Sequence, residues 1–437
     1  MKKGRKKRLT VWLLALLAVL CAGCGNPAAV EEMFTLPQPP IEYTGLAGKI
    51  EEMISAGYEY ASPTAGSNIQ SVQMVDLNGD NRPEAVVFLR KPSDKKPLKI
   101  MVFSPQEETY SLYCTIESSG TAVDRVEYAD MDNDGARELI VGWKISADLQ
   151  TVAVYAVRPE PVALVKSSYT RYSIQDMDGN GVPSLLVFRT ADEGVSIAEF
   201  YGWRKETMEM IRSCVLSSTM AELNNGSIVH GKMNNDLSAV YVTGVNEQGM
   251  AVTDILVGQP DGTLINAALN RNTGRSGIIY PYRQIKPQDI NGDGCTDIPA
   301  PAEDSMPSVK NDGMIRWIDY DSRGRGETVA STYHCLSSGW YFTIPETWER
   351  HVNISAAESG INEKQVVFYL DEDPVMAICA ITGENRENKA LRGNRIVLKR
   401  QSFTVYSGEL LDGAADWDVT EDMMRDHFNL IVESWAG

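Results

Sequence analysis

The sequence predicts a mainly β protein, built from about five copies of a unit of four short strands and followed by a small α+β domain. Three observations predict this fold. An aspartate-rich motif of nine residues recurs along the chain, short apolar or alternating runs flank its copies, and the repeat stops near residue 330. We therefore expect a leader at residues 1–23, a flexible tether at 24–45, the repeat domain at 46–330 and the small domain at 331–437.

The N-terminal residues have the order typical of an export signal. Basic residues precede an apolar run at 11–19 that is too short to span a bilayer, and small residues then lead into Cys24. Ala22-Gly23-Cys24 resembles a lipobox, with Cys21 where that motif usually has Leu. The resemblance implies a lipid on Cys24 and anchoring at the extracytoplasmic face of a bacterial cell membrane. An ordinary signal peptide with an incidental Cys24 is the alternative.

The charge of the chain limits its partners. The formal charge is -18, and removal of the leader with its six basic residues would make it -24. An acidic surface of this kind argues against nucleic acid and anionic lipid as partners, whereas bound divalent cations would partly neutralise it. The other cysteines are scattered without a CxxC pair, which predicts small buried hydrophobic residues and gives no support to a zinc site: Cys114, Cys214, Cys295, Cys335 and Cys379.

A proline-containing stretch separates Cys24 from the folded part. Residues 25–42 show no clear period and read as a tether that holds the body of the protein off the membrane. Ile50, Met53, Ile54 and Tyr58 then recur at helical spacing, so a short amphipathic helix is predicted to open the folded part.

The repeat aligns without gaps in four segments, 76–84, 130–138, 176–184 and 289–297, and in decayed form at 232–240. Successive copies start 46 to 57 residues apart, which is the range of propeller blades of four strands each. Strand-like runs follow the loops, and a further hairpin-like pair of runs lies later in the units. The sequence therefore predicts a β-propeller of about five blades.

Oxygen-bearing side chains fall at positions 1, 3 and 5 of each loop, and a carboxylate occupies position 9 in the better copies. Ca²⁺ takes six to eight oxygen ligands with flexible geometry, and position 7 can add its backbone carbonyl. The predicted Ca²⁺ ligands are Asp76, Asn78, Asp80, Arg82 and Glu84 in the first loop, Asp130, Asp132, Asp134, Ala136 and Glu138 in the second, Asp176, Asp178, Asn180 and Val182 in the third, and Asp289, Asn291, Asp293, Cys295 and Asp297 in the last.

The copies are not equivalent. The third loop has Ser184 at position 9, so we expect weaker affinity for Ca²⁺ there. The decayed copy has Lys232 at position 1 and Val240 at position 9, so its ammonium group is expected to replace a cation. An EF-hand is excluded because position 12 of the four aligned loops is Val or Ala and the flanking runs read as strands.

The pattern Asp-x-Asp/Asn-x-Asp-Gly-x-x-Glu/Asp before a strand resembles the FG-GAP and VCBS repeats of integrin-α-like propellers. The resemblance covers roughly residues 65–330. It implies a β-propeller with Ca²⁺ in hairpin loops on one face, acting in structural support or adhesion.

Beyond the repeat, strands are predicted at 340–344, 366–370, 375–381 and 403–406. Thr420 can cap a last helix whose apolar face would be Met424, Phe428, Ile431, Val432 and Trp435. This region resembles the PsbP-like α/β fold through Gly339-Trp-Tyr-Phe-Thr-Ile-Pro345 and the closing Ser434-Trp435.

The sequence gives little support to catalysis. Its histidines are His230, His334, His351 and His427, none in an HExxH spacing, and the chain has no Gly-x-Ser-x-Gly, P-loop or GxGxxG motif. We therefore predict a non-enzymatic surface platform with structural Ca²⁺ that binds an extracellular protein or glycan. A surface hydrolase acting on glycans or peptides is the alternative. Aromatic residues such as Trp143, Trp203, Trp317, Trp340 and Trp348 could line a glycan site, although packing between blades is the favoured interpretation.

Overall fold

The computed structural model describes residues 41–431, apart from 108, 206, 235, 260–262, 271, 282–283 and 302–311. Strands dominate this part of the chain, which confirms the mainly β prediction, and none of its sheets closes into a barrel. Its helices include none long and apolar enough to cross a membrane. The predicted leader, Cys24 and most of the predicted tether lie outside the described residues. The tether was predicted to extend to residue 45, but a helix already begins at Ile41.

In the described residues, six antiparallel sheets begin one after another along the chain, besides a small two-stranded ribbon. The strands of sheet 1 are Glu59–Tyr60, Val72–Val75, Glu84–Arg90, Leu98–Pro105 and Tyr110–Ser118. Those of sheet 2 are Ala122–Ala129, Glu138–Lys144, Gln150–Ala156 and Val162–Ser168. Those of sheet 3 are Arg171–Gln175, Ser184–Thr190, Ser196–Arg204 and Thr207–Val215. Those of sheet 4 are Ser227–Lys232, Ser238–Val245, Ala251–Gly258, Leu264–Asn266 and Ile279–Tyr280.

The remaining sheets and helices lie mostly in the C-terminal part. Sheet 5 contains Ile298–Pro301, Asp312–Tyr320, Gly326–Cys335, Trp340–Ile344 and Phe428–Leu430. Sheet 6 contains Val352–Gly360, Glu363–Leu370, Asp373–Thr382, Ile396–Arg400 and Thr404–Leu410, and a small ribbon joins Leu269–Asn270 to Arg275–Ser276. The α-helices are Ile41–Ser55, Met220–Asn224, Arg386–Ala390 and Glu421–His427, and the 3₁₀ helices are Asp192–Gly194, Leu336–Ser338, Glu346–Trp348 and Asp412–Trp417.

The sheets stack face to face in chain order because their central strands are apolar on both faces. In Glu84–Arg90, Val86 and Phe88 pack against Leu139 and Val141 of sheet 2, while Val87 on the opposite face packs under the first helix. The same alternation joins sheet 2 to sheet 3, sheet 3 to sheet 4 and sheet 4 to sheet 5. These near-continuous apolar runs are what strands covered on both faces require.

The two ends of the stack are covered by different elements. Leu46 and Ile50 of the first helix lie on the outer face of sheet 1. Sheet 6 covers sheet 5, with Phe342 of sheet 5 packed against Phe368 of sheet 6 at a centroid distance of 5.2 Å. The apolar outer faces of sheet 1 and sheet 5 are therefore shielded from water.

The predicted domain boundary at residue 331 does not coincide with a structural boundary. It falls inside the strand Gly326–Cys335, and sheet 5 continues into Trp340–Ile344 and Phe428–Leu430. The physical reason is pairing: Ile315 lies opposite Thr332 and Ser331 lies opposite Ile344, so residues from both predicted domains share one hydrogen-bonded sheet.

The C-terminal elements match the predicted strands but not the full predicted helix. The Thr420 hydroxyl accepts a hydrogen bond from the Met423 N–H at 3.2 Å, which confirms the predicted cap. The helix ends at His427, and Phe428 begins a strand that pairs with Phe342. Phe428 is therefore buried as predicted, but as a strand residue. Val432 and Trp435 lie outside the described residues.

Candidate metal loops

The aspartate loops occupy equivalent places in four of the sheets. In sheet 1 the loop joins Val72–Val75 to Glu84–Arg90, and in sheets 2 and 3 it joins the first strand to the second; in all three the residue before position 1 pairs with position 9. The last loop is closed in the same way by an isolated bridge between Gln288 and Asp297, where the first strand is reduced to a single pair. Four loops therefore share one register, as the gap-free alignment of their sequences predicts.

The aspartate at position 1 shapes each of these loops by accepting backbone hydrogen bonds. The two carboxylate oxygens of Asp289 accept the N–H groups of Gly292 and Gly294 at 2.7 and 2.9 Å. Asp76 holds positions 4 and 6 of the first loop in the same way, at 2.8 and 3.0 Å. Both positions have positive φ in all four loops, which explains why Gly or Asn occupies them: Gly79, Asn81, Asn133, Gly135, Gly179, Gly181, Gly292 and Gly294.

The carboxylate at position 9 is buried beneath the loop. One oxygen of Glu138 accepts the Met131 N–H at 2.8 Å, and Glu84 and Asp297 make the equivalent bond at 2.9 and 3.1 Å. The second Asp297 oxygen, Oδ1, is buried and has no hydrogen-bond partner among the described residues. One oxygen of the position-9 carboxylate thus fixes its place, and in the last loop the other oxygen remains available to a ligand.

The second loop brings three carboxylates together. Oxygens of Asp130, Asp132 and Glu138 all lie within 4.8 Å of one another. Burial, followed by the charges of Asp132, Asp134 and Asp130, raises the pKa of Glu138 to about 7. Burial and the neighbouring Asp134 and Asp130 also raise the pKa of Asp132. Such shifts mean that the carboxylate charges repel one another where no cation separates them.

These distances fit a calcium ion. Oxygens bind Ca²⁺ at 2.3–2.6 Å, so ligand oxygens on opposite sides of the ion lie about 5 Å apart. In the first loop the Asn78 amide donates to Asp80 and Glu84, both at 3.2 Å, and so occupies the place between carboxylates that a cation would take. The position-7 residues Arg82, Ala136, Val182 and Cys295 donate their N–H groups to position 5 at 2.7–2.8 Å; ligation by their carbonyls stays a prediction.

The last loop has a neighbouring carboxylate that the sequence pattern did not identify. Pairing of Ile298 with Ile318 places Asp319 opposite Asp297, where sheets 1 to 3 have Ser104, Ala156 and Gly202. Burial and then the charge of Asp293 raise the pKa of Asp319, and burial raises that of Asp297 to about 6. Asp319 lies 22 residues beyond Asp297, so only the strand pairing reveals the proximity.

The third loop keeps the backbone frame but lacks the buried carboxylate. Asp176 accepts the N–H groups of Gly179 and Gly181 at 2.8 Å, and Ser184 occupies the buried position 9. One oxygen of Asp178 is buried without a hydrogen-bond partner in the described part of the chain, and burial raises the pKa of this side chain.

The structure does not form the nine-residue loop that the sequence predicts at residues 232–240. The strand pairing continues to Lys232 and Ser238, so the connection is a tight hairpin and not a nine-residue loop. Lys232, predicted at the first-ligand position, lies on the strand and its ammonium group contacts the Asp236 carboxylate at 3.0 Å. That the lysine replaces a cation stays a prediction.

Neighbouring loops touch one another. The Arg137 N–H of the second loop donates to the Leu77 carbonyl of the first at 2.7 Å, and the Thr296 N–H donates to the Lys232 carbonyl at 2.8 Å. A cleft between the second and third loops is lined by Asp132 and Asp178. The loops therefore lie side by side, and an ion bound in one loop would also stabilise the neighbouring loop.

Most of the tryptophans considered for glycan binding are packing residues. Trp143, Trp317, Trp340 and Trp348 are buried between sheets or beneath sheet 6, as the favoured interpretation predicted. Trp203 is partly buried and lines the cleft beside the third loop.

Comparisons with known proteins give no family for this chain. No protein-family model matches it, and no curated protein matches it. Among solved structures, a Bacillus licheniformis rhamnogalacturonan lyase aligns over 72% of this chain and 71% of its own, with 11% identity and a TM-score of 0.30. Sqt1 of Saccharomyces cerevisiae aligns over 70% and 83%, with 12% identity and a TM-score of 0.30. An exo-β-1,3-galactanase of Phanerochaete chrysosporium aligns over 78% and 81%, with 11% identity and a TM-score of 0.26. Likenesses this low carry no argument about function.

Proposed function

We propose that the chain is a lipid-anchored, calcium-binding surface protein in which sheets 1 to 5 are blades of a propeller-like arc. Serial face-to-face stacking supports this arrangement, as do side-chain contacts from sheet 1 to sheet 2 and from sheet 3 to sheet 4. The Tyr128 hydroxyl donates to Gln73 at 2.6 Å, and Ser173 contacts His230. The first helix and sheet 6 would cap the two ends of the arc.

One observation carries the calcium proposal: the convergence of Asp130, Asp132 and the buried Glu138 within 4.8 Å. A divalent cation at this point would offset the burial and the mutual repulsion of the carboxylates, which together raise the pKa of Glu138. The first and last loops repeat the same backbone frame with Glu84 and Asp297, and we propose Ca²⁺ there as well. The third loop would bind more weakly because Ser184 supplies no charge.

We assign the ions a structural role and the protein a binding role. Contacts between loops mean that each ion would stiffen the edge along which neighbouring sheets meet. The clefts at this edge are lined by the loop carboxylates themselves, which favours metal binding over hydrolysis. The partner would be an extracellular protein or a glycan at the extracytoplasmic face of the membrane.

Thermal unfolding with metal analysis tests the proposal. The chain from residue 25 onward is unfolded in EDTA, in millimolar Ca²⁺ and in millimolar Mg²⁺, and its bound Ca²⁺ is counted. We expect the melting temperature to rise in Ca²⁺ and to rise less in Mg²⁺, because Mg²⁺ demands a tighter octahedral geometry. The Ca²⁺-dependent rise should shrink in Asp132→Ala and Asp134→Ala. No bound Ca²⁺ and identical melts would refute the proposal.

A further inference from the structure

Three connections meet at one end of sheet 6. The turn at 361–362 joins the first two strands, residues 383–395 follow the third, and the turn at 401–403 precedes Thr404. The strand register places them together, because Glu363 lies opposite Ile381 and Thr404 lies opposite Thr382. We call this end, with residues 361–364 and 383–403, the tip of sheet 6.

The tip exposes large apolar side chains. Ile361 and Phe403 are 86% and 82% exposed, and Leu391 is 59% exposed. These are the three highest values among the exposed large hydrophobic residues in the described part of the chain. Single exposed apolar residues need no explanation, but three at the ends of adjacent connections form a candidate contact surface.

Two of the connections at the tip are held in place by basic side chains. Lys389 donates to the Ile361 carbonyl at 2.8 Å, which fastens the first turn to the helix Arg386–Ala390. Arg386 donates to the Ser402 carbonyl at 3.2 Å and so fastens the turn that carries Phe403. The backbone that carries the apolar side chains is therefore already fixed by hydrogen bonds in the free protein. This lowers the conformational entropy that is lost on binding.

The charge of the tip is opposite to that of the chain. Residues 384–400 contain six basic and two acidic residues, in a chain whose formal charge is -18. Lys364, Arg392, Lys399 and Arg400 are exposed there. Exposed charges interact over about 10 Å at ordinary ionic strength. The local excess of positive charge, and not the total charge of the chain, therefore decides what the tip attracts.

We propose that the tip of sheet 6 docks on an anionic lipid bilayer, with Ile361, Leu391 and Phe403 entering the headgroup boundary and the surrounding Lys and Arg side chains contacting lipid phosphates. Separate apolar side chains at the ends of convex turns, flanked by flexible basic residues, suit a soft anionic surface that adapts to them. The prediction that anionic lipid is repelled, drawn from the total charge, does not apply to this end.

Vesicle co-sedimentation tests this proposal on the chain from residue 25 onward, which lacks Cys24 and the leader. The probes are vesicles of phosphatidylcholine alone and vesicles with one quarter phosphatidylglycerol, in 0.1 M and in 0.5 M NaCl. We expect binding to the anionic vesicles at low salt, weaker binding at high salt, and little binding to neutral vesicles.

Two double variants separate the apolar and the charge contributions. Ile361→Ser with Phe403→Ser should lower the partition coefficient at least tenfold, since the large buried apolar area is lost. Arg392→Gln with Lys399→Gln should lower it about 30-fold on anionic vesicles, at about 1 kcal/mol per basic residue. All four side chains are exposed, so the melting temperatures should not change.

Matched controls alter exposed residues elsewhere. Ile69→Ser with Met210→Ser removes two half-exposed apolar side chains, and Lys95→Gln with Lys96→Gln removes two exposed charges, all outside the tip. Neither control should change vesicle binding. The proposal is overturned if the parent chain does not bind anionic vesicles at low salt, or if controls and tip variants bind equally.

Discussion

Replacing Glu138 by Gln should separate a metal ligand from an ordinary structural residue. The amide oxygen of Gln can still accept the Met131 N–H that Glu138 accepts at 2.8 Å, so the loop backbone keeps its anchor. What disappears is one negative charge beside Asp130, Asp132 and Asp134. Without metal, this removal relieves repulsion, and we expect the variant to melt no lower than the parent chain in EDTA. With Ca²⁺, the same change should remove most of the stabilisation from this loop.

The magnitude follows from mass action. Extracellular calcium modules bind with dissociation constants of about 10⁻⁴ to 10⁻³ M. At a dissociation constant of about 10⁻⁴ M, 10 mM free Ca²⁺ stabilises the folded state by about 2.7 kcal/mol per filled site. At roughly 2–4 °C per kcal/mol for a large domain, one site raises the melting temperature by about 5–10 °C. The Glu138→Gln variant should lose about this much of the total Ca²⁺-induced rise.

Differential scanning calorimetry in EDTA and in 10 mM Ca²⁺ measures both effects on the same sample. Asp236→Asn is the matched control, because it makes the same change from carboxylate to carboxamide in the hairpin that we expect to bind no metal. Its Ca²⁺-induced rise should equal that of the parent chain. A Glu138→Gln variant that loses stability equally in EDTA and in Ca²⁺ would refute our reasoning, since a purely structural residue behaves that way.

Further predictions concern other sites. Ser184→Glu supplies the missing position-9 carboxylate of the third loop, and titration calorimetry should then detect tighter Ca²⁺ binding or one more ion per chain. Gly79→Ala should destabilise the chain by more than 1 kcal/mol in denaturant unfolding, because φ is +75° there and the new Cβ would lie 2.6 Å from the Gly135 carbonyl oxygen. Burial lowers the pKa of His334 to about 4 from 6.5. The neutral side chain thus contributes stability that is full above pH 6.5 and falls by about 3 kcal/mol as the pH drops to 4. The His334→Gln variant should show a smaller loss in urea unfolding at these two pH values.

The aspartate loops were predictable because their geometry is local. A position-1 aspartate can reach the N–H groups of positions 4 and 6 only where those residues accept positive φ, so Asp, Gly and Asn recur at fixed spacing. The position-9 residue begins the next strand, which carries its side chain beneath the loop. Every element of this arrangement lies within nine residues, and a sequence pattern can therefore describe it completely.

The departures from prediction arise where pairing between strands decides the outcome. The 232–240 segment looks like another copy, yet two more residue pairs, Gly231 with Ala239 and Lys232 with Ser238, form in place of the open loop. Asp319 approaches the last loop only because Ile318 pairs with Ile298. The boundary placed at 331 fails for the same reason, since the decline of the repeat in sequence does not mark the end of sheet 5.

The tip of sheet 6 shows why exposure is the hardest property to predict from apolar pattern. Phe403 stands next to the apolar strand residues Val405 and Tyr406, and the pattern counts all three as one strand. The strand instead begins at Thr404, which leaves Phe403 in the turn and exposed, whereas Val405 and Tyr406 are buried. Total charge is misleading in the same way, because carboxylates gathered in the aspartate loops mask the excess of Lys and Arg at residues 384–400.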